Sequence, residues 1–330
     1  MFLFEGWGVT FMKRTLMLFI SIIFILFLSV ACGQSVPSVE EQKVGLLVPD
    51  SINDQVWGTK GYKGLLRIQT EYEVDVYYQE GIHTDQAIKK SVKEFHKDGV
   101  TLIFGHGSEY AKAFNSIAKD YPDIHFVCFN SDVRGDNVTS LNFESNAMGF
   151  FGGMVAGQMT QSNNVGIIAA FEWQPEVNGF FEGVLHENPD ARVLIDYTQD
   201  WNDPDKALIA LQDMMNKGVD VVYPAGDGFN VPVINTLKEN GLLAVGYVSD
   251  QSDLGENTVL TSTVQHVPAL YELVAKRHFL GELKGGNQYF DFKDDVISLG
   301  KFSPLVSEDY QKSMQQQINR YKESGKLPNE

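Results

Sequence analysis

From residue 43 onward the chain alternates between short β-branched runs and segments whose apolar residues recur at helical spacing. The runs fall at 44–48, 74–78, 100–104, 126–129, 165–171, 193–197, 219–223 and 243–248, and the helical segments at 58–72, 85–97, 109–120, 146–159, 175–186, 204–216 and 231–240. Strands that alternate with helices predict repeated βαβ units and parallel sheets. The runs are nearly continuous in apolar residues, as expected where helices cover both faces of a sheet. Local signals agree. Asp203 precedes Pro204 as an N-cap ahead of proline at the first helical position, and Asn240-Gly241 is a helix stop.

The pattern divides into two similar halves, 44–159 and 165–248, joined by the polar stretch 160–164. After them come a strand at 259–264, a helix at 268–280, a strand near 296–300 and a helix from 308 to about 321. This is too little for a further domain, and it is most simply the chain crossing back to complete both lobes. The expected lobes are 43–160 and 161–250, each with part of 251–330. Two α/β lobes place a cleft at the carboxyl ends of their strands, where ligands bind in open α/β sheets. Hinged lobes permit closure around a ligand. A sugar-phosphate enzyme would fit the same architecture, so the fold leaves function open.

Ahead of the fold, Lys13 and Arg14 precede an apolar run of sixteen residues, 16–31, relieved only by Ser21 and Ser29. A basic start and a short greasy core make a secretory signal, and the run is short for a helix spanning about 30 Å of hydrocarbon. It ends in Leu28-Ser29-Val30-Ala31-Cys32, small residues before a cysteine, which resembles the bacterial lipobox. This implies cleavage before Cys32 and its acylation; an uncleaved membrane anchor is the alternative. Either way the chain is expected at the cell membrane, anchored on its extracytoplasmic face. Residues 1–31 are then the signal and 32–42 a lipidated cysteine with a polar spacer. Glu5 and Trp7 are unusual ahead of a signal and point to translation starting at Met12.

Charge narrows the function classes. There are 26 basic and 43 acidic residues, net −17, which argues against gripping nucleic acid through its phosphates or a membrane through a polybasic face. Two cysteines exclude a disulfide scaffold, and Cys128 lies in an apolar run as a core residue. Catalytic signatures are missing. There is no GxxxxGK[ST], no GxGxxG and no serine flanked as in a nucleophile elbow. The seven histidines show no zinc-ligand spacing. Residues 200–205 faintly resemble a calcium loop but lack its central glycine, and the twelfth position holds Leu211. No enzyme, metal or cofactor is expected.

What remains are polar and aromatic residues at predicted strand ends. Asp50, Asn53, Asp54 and Trp57 follow the first strand, Asn130 the fourth and Trp173 the fifth. Gly226, Asp227 and Gly228 follow the seventh, and Asp250 the eighth. In parallel sheets these positions share one edge. Carboxylates and amides there suit hydroxyls or a polar heterocycle, Trp57 and Trp173 suit a planar ring, and the glycines let backbone approach it. Each position taken alone also fits an ordinary turn.

At these residues the chain resembles the basic membrane protein family of surface lipoproteins. The resemblance is carried by the lipobox, Ile52-Asn53-Asp54, Asn137-Val138, the glycine-rich 149–153, Gly179 to Gly183 and Asp250-Gln251, and by the long runs 53–65 and 249–265. It implies a two-lobed periplasmic-binding-protein-like fold (type I) that binds a nucleoside-like ligand for an ABC permease or for sensing. The similarity is greatest to regulatory members from bacilli, which implies the alternative of promoting competence gene expression indirectly, without transport. It also implies that Asn130 stands where an aspartate is expected and Gln265 where a lysine is expected. An acidic residue expected near Tyr247 is absent from that stretch. Asn130 keeps an acceptor without charge, and Gln265 loses a cation.

Overall fold

The computed structural model describes residues 42–53 and 57–330. The predicted signal peptide, Cys32 and the spacer up to residue 41 lie outside the described residues, as does Asp54. In chain order the elements are β1 (Lys43–Leu47), α1 (Trp57–Tyr72), β2 (Asp75–Gln79), α2 (Asp85–Lys97), β3 (Leu102–Gly105), α3 (Tyr110–Ile117), β4 (His125–Phe129) and β5 (Val138–Phe143). Then follow α4 (Ser145–Met159), β6 (Asn164–Ala169), α5 (Pro175–Glu187), β7 (Arg192–Tyr197), α6 (Pro204–Asn216), β8 (Val221–Ala225), α7 (Asn230–Glu239) and β9 (Leu243–Gly246). The chain ends with β10 (Val259–Gln265), α8 (Val267–Phe279), β11 (Gly286–Phe290), β12 (Ile297–Leu299) and α9 (Glu308–Ser324).

The strands form two six-stranded sheets, β2-β1-β3-β4-β5-β11 and β7-β6-β8-β9-β10-β12. Neighbouring strands are parallel except β12, which runs antiparallel to β10 with Thr263 opposite Leu299. The expected α/β architecture of parallel sheets with flanking helices is therefore the one that forms. Helix ends follow their sequence signals. Thr84 and Asp203 accept the N–H groups of Ala87 and Lys206 at 3.2 and 3.0 Å, and Gly325 closes α9 at φ +69°.

The chain passes between sheets after β5, after β10 and after β11. Helix α4 leaves the first sheet and packs against β10 and β12 of the second, whereas α8 leaves the second sheet and packs on α1. One continuous core results, in which Leu65, Phe104 and Tyr271 of the first lobe join Phe150, Phe180 and Tyr223 of the second. Smaller cores fill the outer faces under α2 and α3, and under α6 and α7.

The glycine motifs of the resemblance meet at the α4–α5 contact. A Cβ at Gly149 or Gly153 would lie 2.1 Å from the carbonyl oxygen of Glu176 or Phe180. Reciprocally, one at Gly179 or Gly183 would lie 1.9 or 2.0 Å from that of Asn146 or Phe150. The helices touch backbone to backbone, which only glycine permits. Asn137 is likewise structural, its amide reaching the carbonyls of Ala118, Tyr121 and Ile124.

Candidate functional site

On the first lobe, the loop after β1 leads into α1 and is held by Glu80, which accepts the Ser51 hydroxyl at 3.0 Å and the Ile52 N–H at 2.9 Å. This leaves Asp50 and Asn53 exposed at the strand ends. Trp57, the first residue of α1, is half-buried and stacks on His106 at 4.3 Å and 12°. Its edge meets Phe129 at 5.5 Å, and its indole donates to the His106 carbonyl at 3.1 Å. The fully buried imidazole of His106 is itself fixed. Nε2 lies 2.7 Å from the Trp57 carbonyl and must donate, so Nδ1 accepts from the Tyr271 hydroxyl at 2.8 Å. Trp57 is thus tied to β3 and α8 rather than to its own loop alone. Asn130, exposed after β4 with φ +48°, is the strand-end amide of the same sheet.

The second lobe contributes Asp227 after β8 and Tyr247 and Val248 after β9. Tyr247 is buried and donates to Glu176 at 3.0 Å; Glu176, in the first turn of α5, also accepts from Gln174 at 3.0 Å. Two donors make burial of that carboxylate tolerable. Burial, then Glu176 and Asp227, hold the Tyr247 hydroxyl well above its usual range. The acidic residue expected near Tyr247 is absent from that stretch, and the carboxylate that meets the Tyr247 hydroxyl is Glu176 of α5. Val248 takes φ +61°, a strained conformation for a β-branched side chain that costs about 1–3 kcal/mol.

One cation enters from α1. Lys60 stands one helical turn after Trp57 and donates to the Val248 carbonyl at 2.9 Å, bridging the two lobes. Burial lowers its pKa to about 8, opposed by Asp227 and assisted by Lys63. Gln265 donates its backbone N–H to the same carbonyl at 3.0 Å, and its side chain reaches Ser145 at 3.5 Å.

The structure therefore brings Trp57, Asp227 and Gln265 into one neighbourhood around Lys60 and Val248. It treats other expected residues differently. Trp173 is 67% exposed and belongs to an aromatic group with Phe171, at 5.5 Å and 14°, and Trp201, at 5.8 Å and 72°. The Asp250 carboxylate accepts the backbone N–H groups of Ser252 and Lys301 at 3.1 Å each, so its oxygens anchor a loop. At Gly226 and Gly228 packing within the lobe already calls for glycine. A Cβ would lie 2.1 Å from the Phe229 ring at the first and 2.6 Å from Asn202 at the second.

Sequence reasoning missed Lys60, Glu176 and Tyr247. The usable signal was position: Lys60 lies three residues from Trp57, and Glu176 three residues from Trp173. A separate concavity of about 400 Å³ lies under α9, between Phe292, Asp295, Met314 and Lys322, and shares no residue with the strand-end group. Among the described residues no group of His, Cys, Asp and Glu is placed to hold a metal ion. No described helix is long and apolar enough to cross a membrane.

The family model for PnrA-like ABC transporter substrate-binding proteins (Bmp) matches residues 41–330. Over 304 residues the chain is 54% identical to the transcriptional activator protein med of Bacillus subtilis, covering 92% of this chain and 96% of that one. It is 26% identical over 259 residues to a purine-binding protein of Brucella abortus, covering 77% of this chain and 73% of the relative. A crystal structure of a transcriptional activator of the comK gene from Bacillus halodurans aligns with TM-score 0.83 and 48% identity, covering 87% of this chain and 99% of that one.

Proposed function

The chain belongs to the PnrA-like family of ABC transporter substrate-binding proteins, whose type I solute-binding fold it has, and from that premise we propose that it is a lipid-anchored solute-binding protein for a nucleoside-like ligand. Its family and fold are those of binding proteins rather than enzymes. The observation that carries the reading is the strand-end group itself. A fixed, half-buried indole, Trp57, stands on one lobe, where Asn130 follows strand β4, and Asp227 and Gln265 stand on the other with Lys60 between the two. Stacking on Trp57 orients a base, while acceptors and one cation suit hydroxyls and ring nitrogens. Asp50 and Asn53 flank this group from the loop after β1, the neighbouring Asp54 is proposed to contribute with them, and the exposed Trp173 offers a second ring. The purine-binding relative supports the ligand class.

Cys32 is the proposed anchor. Two or more acyl chains give stable attachment, so an acidic domain needs no basic surface to stay at the membrane. The permease of an ABC importer is the proposed partner of the loaded protein.

A second reading is favoured by the 54% identical relative, a transcriptional activator by name. Here the protein promotes competence gene expression indirectly. A net charge of −17 argues against direct contact with DNA phosphates. Thermal-shift titration of the protein with a panel of nucleosides separates the readings. A ligand at about a hundred times its Kd stabilises by about 2.7 kcal/mol, so a dose-dependent rise in Tm is expected. No rise with any nucleoside, together with a competence defect on deletion, supports regulation without transport.

A further inference from the structure

Lys60 stands on α1 in the first lobe, yet its ammonium donates to the Val248 carbonyl of the second at 2.9 Å. The acceptor is held in place for it. Val248 is a β-branched residue at φ +61°, where such residues are rare. Its carbonyl also accepts the N–H of Gln265 at 3.0 Å, the last residue of β10 before the chain crosses to α8. One bond thus fastens α1 to the end of β9 and, through the shared carbonyl, to a crossing between the lobes. The charged and titratable groups acting on this ammonium are Asp227 after β8, Lys63 on its own helix and His266 at the start of α8. Asp227 favours the charged form from the opposite lobe, so the attraction and the hydrogen bond pull the same way.

We propose that Lys60 is a latch between the lobes, holding the cleft closed with the chain's own atoms and so setting how readily a solute can enter. This deepens the solute-binding reading in that it assumes lobes that open and close, but it rests on no particular ligand. A bound solute must work against the latch or take over its ammonium. A variant without the ammonium opens more freely.

Losing a hydrogen bond to a charged group changes an equilibrium by about tenfold to a hundredfold. The test is a distance measurement between spin labels at exposed Lys112 on α3 and exposed Asn235 on α7, with no solute added. A Cys32→Ser background leaves Cys128, which is fully buried and does not compete for label. The protein with Lys60 is expected to show one dominant short distance. Lys60→Met should add a longer distance whose population rises about tenfold or more, and Lys60→Arg, which keeps a donor of similar reach, should return the short one. Lys60→Gln is read in the same way as Lys60→Met if the methionine variant does not fold. Identical distance distributions with lysine and with methionine or glutamine overturn the latch. Because no solute is present, a failure to bind nucleosides leaves this result standing.

Discussion

Replacing Gly153 by alanine probes the backbone contact that joins α4 to α5. The new Cβ would lie 2.1 Å from the Phe180 carbonyl oxygen and 2.9 Å from its carbon. Carbon–oxygen contacts of this kind settle at about 3.3 Å or more, so the helices must part by roughly 1 Å. They cannot do so freely, because Gly183 and Gly179 approach α4 just as closely from the other side. Overpacking costs about 1–3 kcal/mol, and two rigid backbones place this site near the upper end. Alanine recovers about 1 kcal/mol of helix propensity, which leaves a net loss of about 2 kcal/mol. At about 2–4 °C per kcal/mol, Tm should fall by about 4–8 °C. Gly152→Ala is the internal control: the same helix, the same propensity gain, but its nearest neighbour is the Thr263 methyl at 3.1 Å, a side chain that can shift. It should melt at or slightly above the parent. Thermal melts followed by circular dichroism read both. If Gly153→Ala melts with the parent, or Gly152→Ala falls as far, the close-contact argument is wrong.

Two further outcomes follow from polar groups, a histidine pair removed from water and a half-buried carboxylate. Burial holds His125 down to about 3 and His278 to about 4, while in the unfolded chain both titrate near 6.5. The unfolded state therefore binds more protons below about 6.5, so their contribution is complete above that pH and is lost as pH falls through the window toward 4 and 3. Urea midpoints should drop from pH 7 to pH 5, and the double variant His125→Gln/His278→Gln should flatten that slope; an equal slope in both proteins contradicts the assignment. Asp220 accepts Thr160 Oγ1 at 2.6 Å and the N–H groups of Gln161 and Ser162 at 2.7 and 2.8 Å, pinning the join between the halves. Asp220→Ala should cost about 2–3 kcal/mol and open that segment to limited proteolysis, whereas an unchanged cleavage pattern and urea midpoint would remove the role.

Much of the fold was legible because eight strands are nearly unbroken apolar runs between helices with their own start signals. Strands β5 and β11 were not. In β5, Thr139 and Ser140 break the apolar pattern yet are fully buried, because their hydroxyls meet the Lys284 carbonyl and the Ser131 N–H. β11 is a half-exposed edge strand of mostly polar residues. The edge on which the candidate residues lie was legible, since parallel strands bring their carboxyl ends to one side of a sheet. Its details were not, because a loop carboxylate or glycine that serves its own backbone is written with the same residues as one that serves a ligand. Asp250, bound to Ser252 and Lys301, and Gly226, packed under Phe229, are of that kind. Lys60 and Glu176 were missed for the opposite reason: they are helix residues whose partners come from elements distant in sequence.

The central claim is that the edge containing Trp57 and Asp227 takes a nucleoside-type ligand. Calorimetric titration of the protein and of Trp57→Ala with purine and pyrimidine nucleosides tests it most directly. The expected result is one-to-one binding at micromolar Kd or tighter for at least one nucleoside, weakened about tenfold or more in Trp57→Ala, since stacking on an aromatic is worth about 1–3 kcal/mol per base. Asp250→Ala, whose carboxylate serves its own loop, should bind as the parent does. Absence of binding heat with every nucleoside, or a Trp57→Ala protein that titrates like the parent, would contradict it.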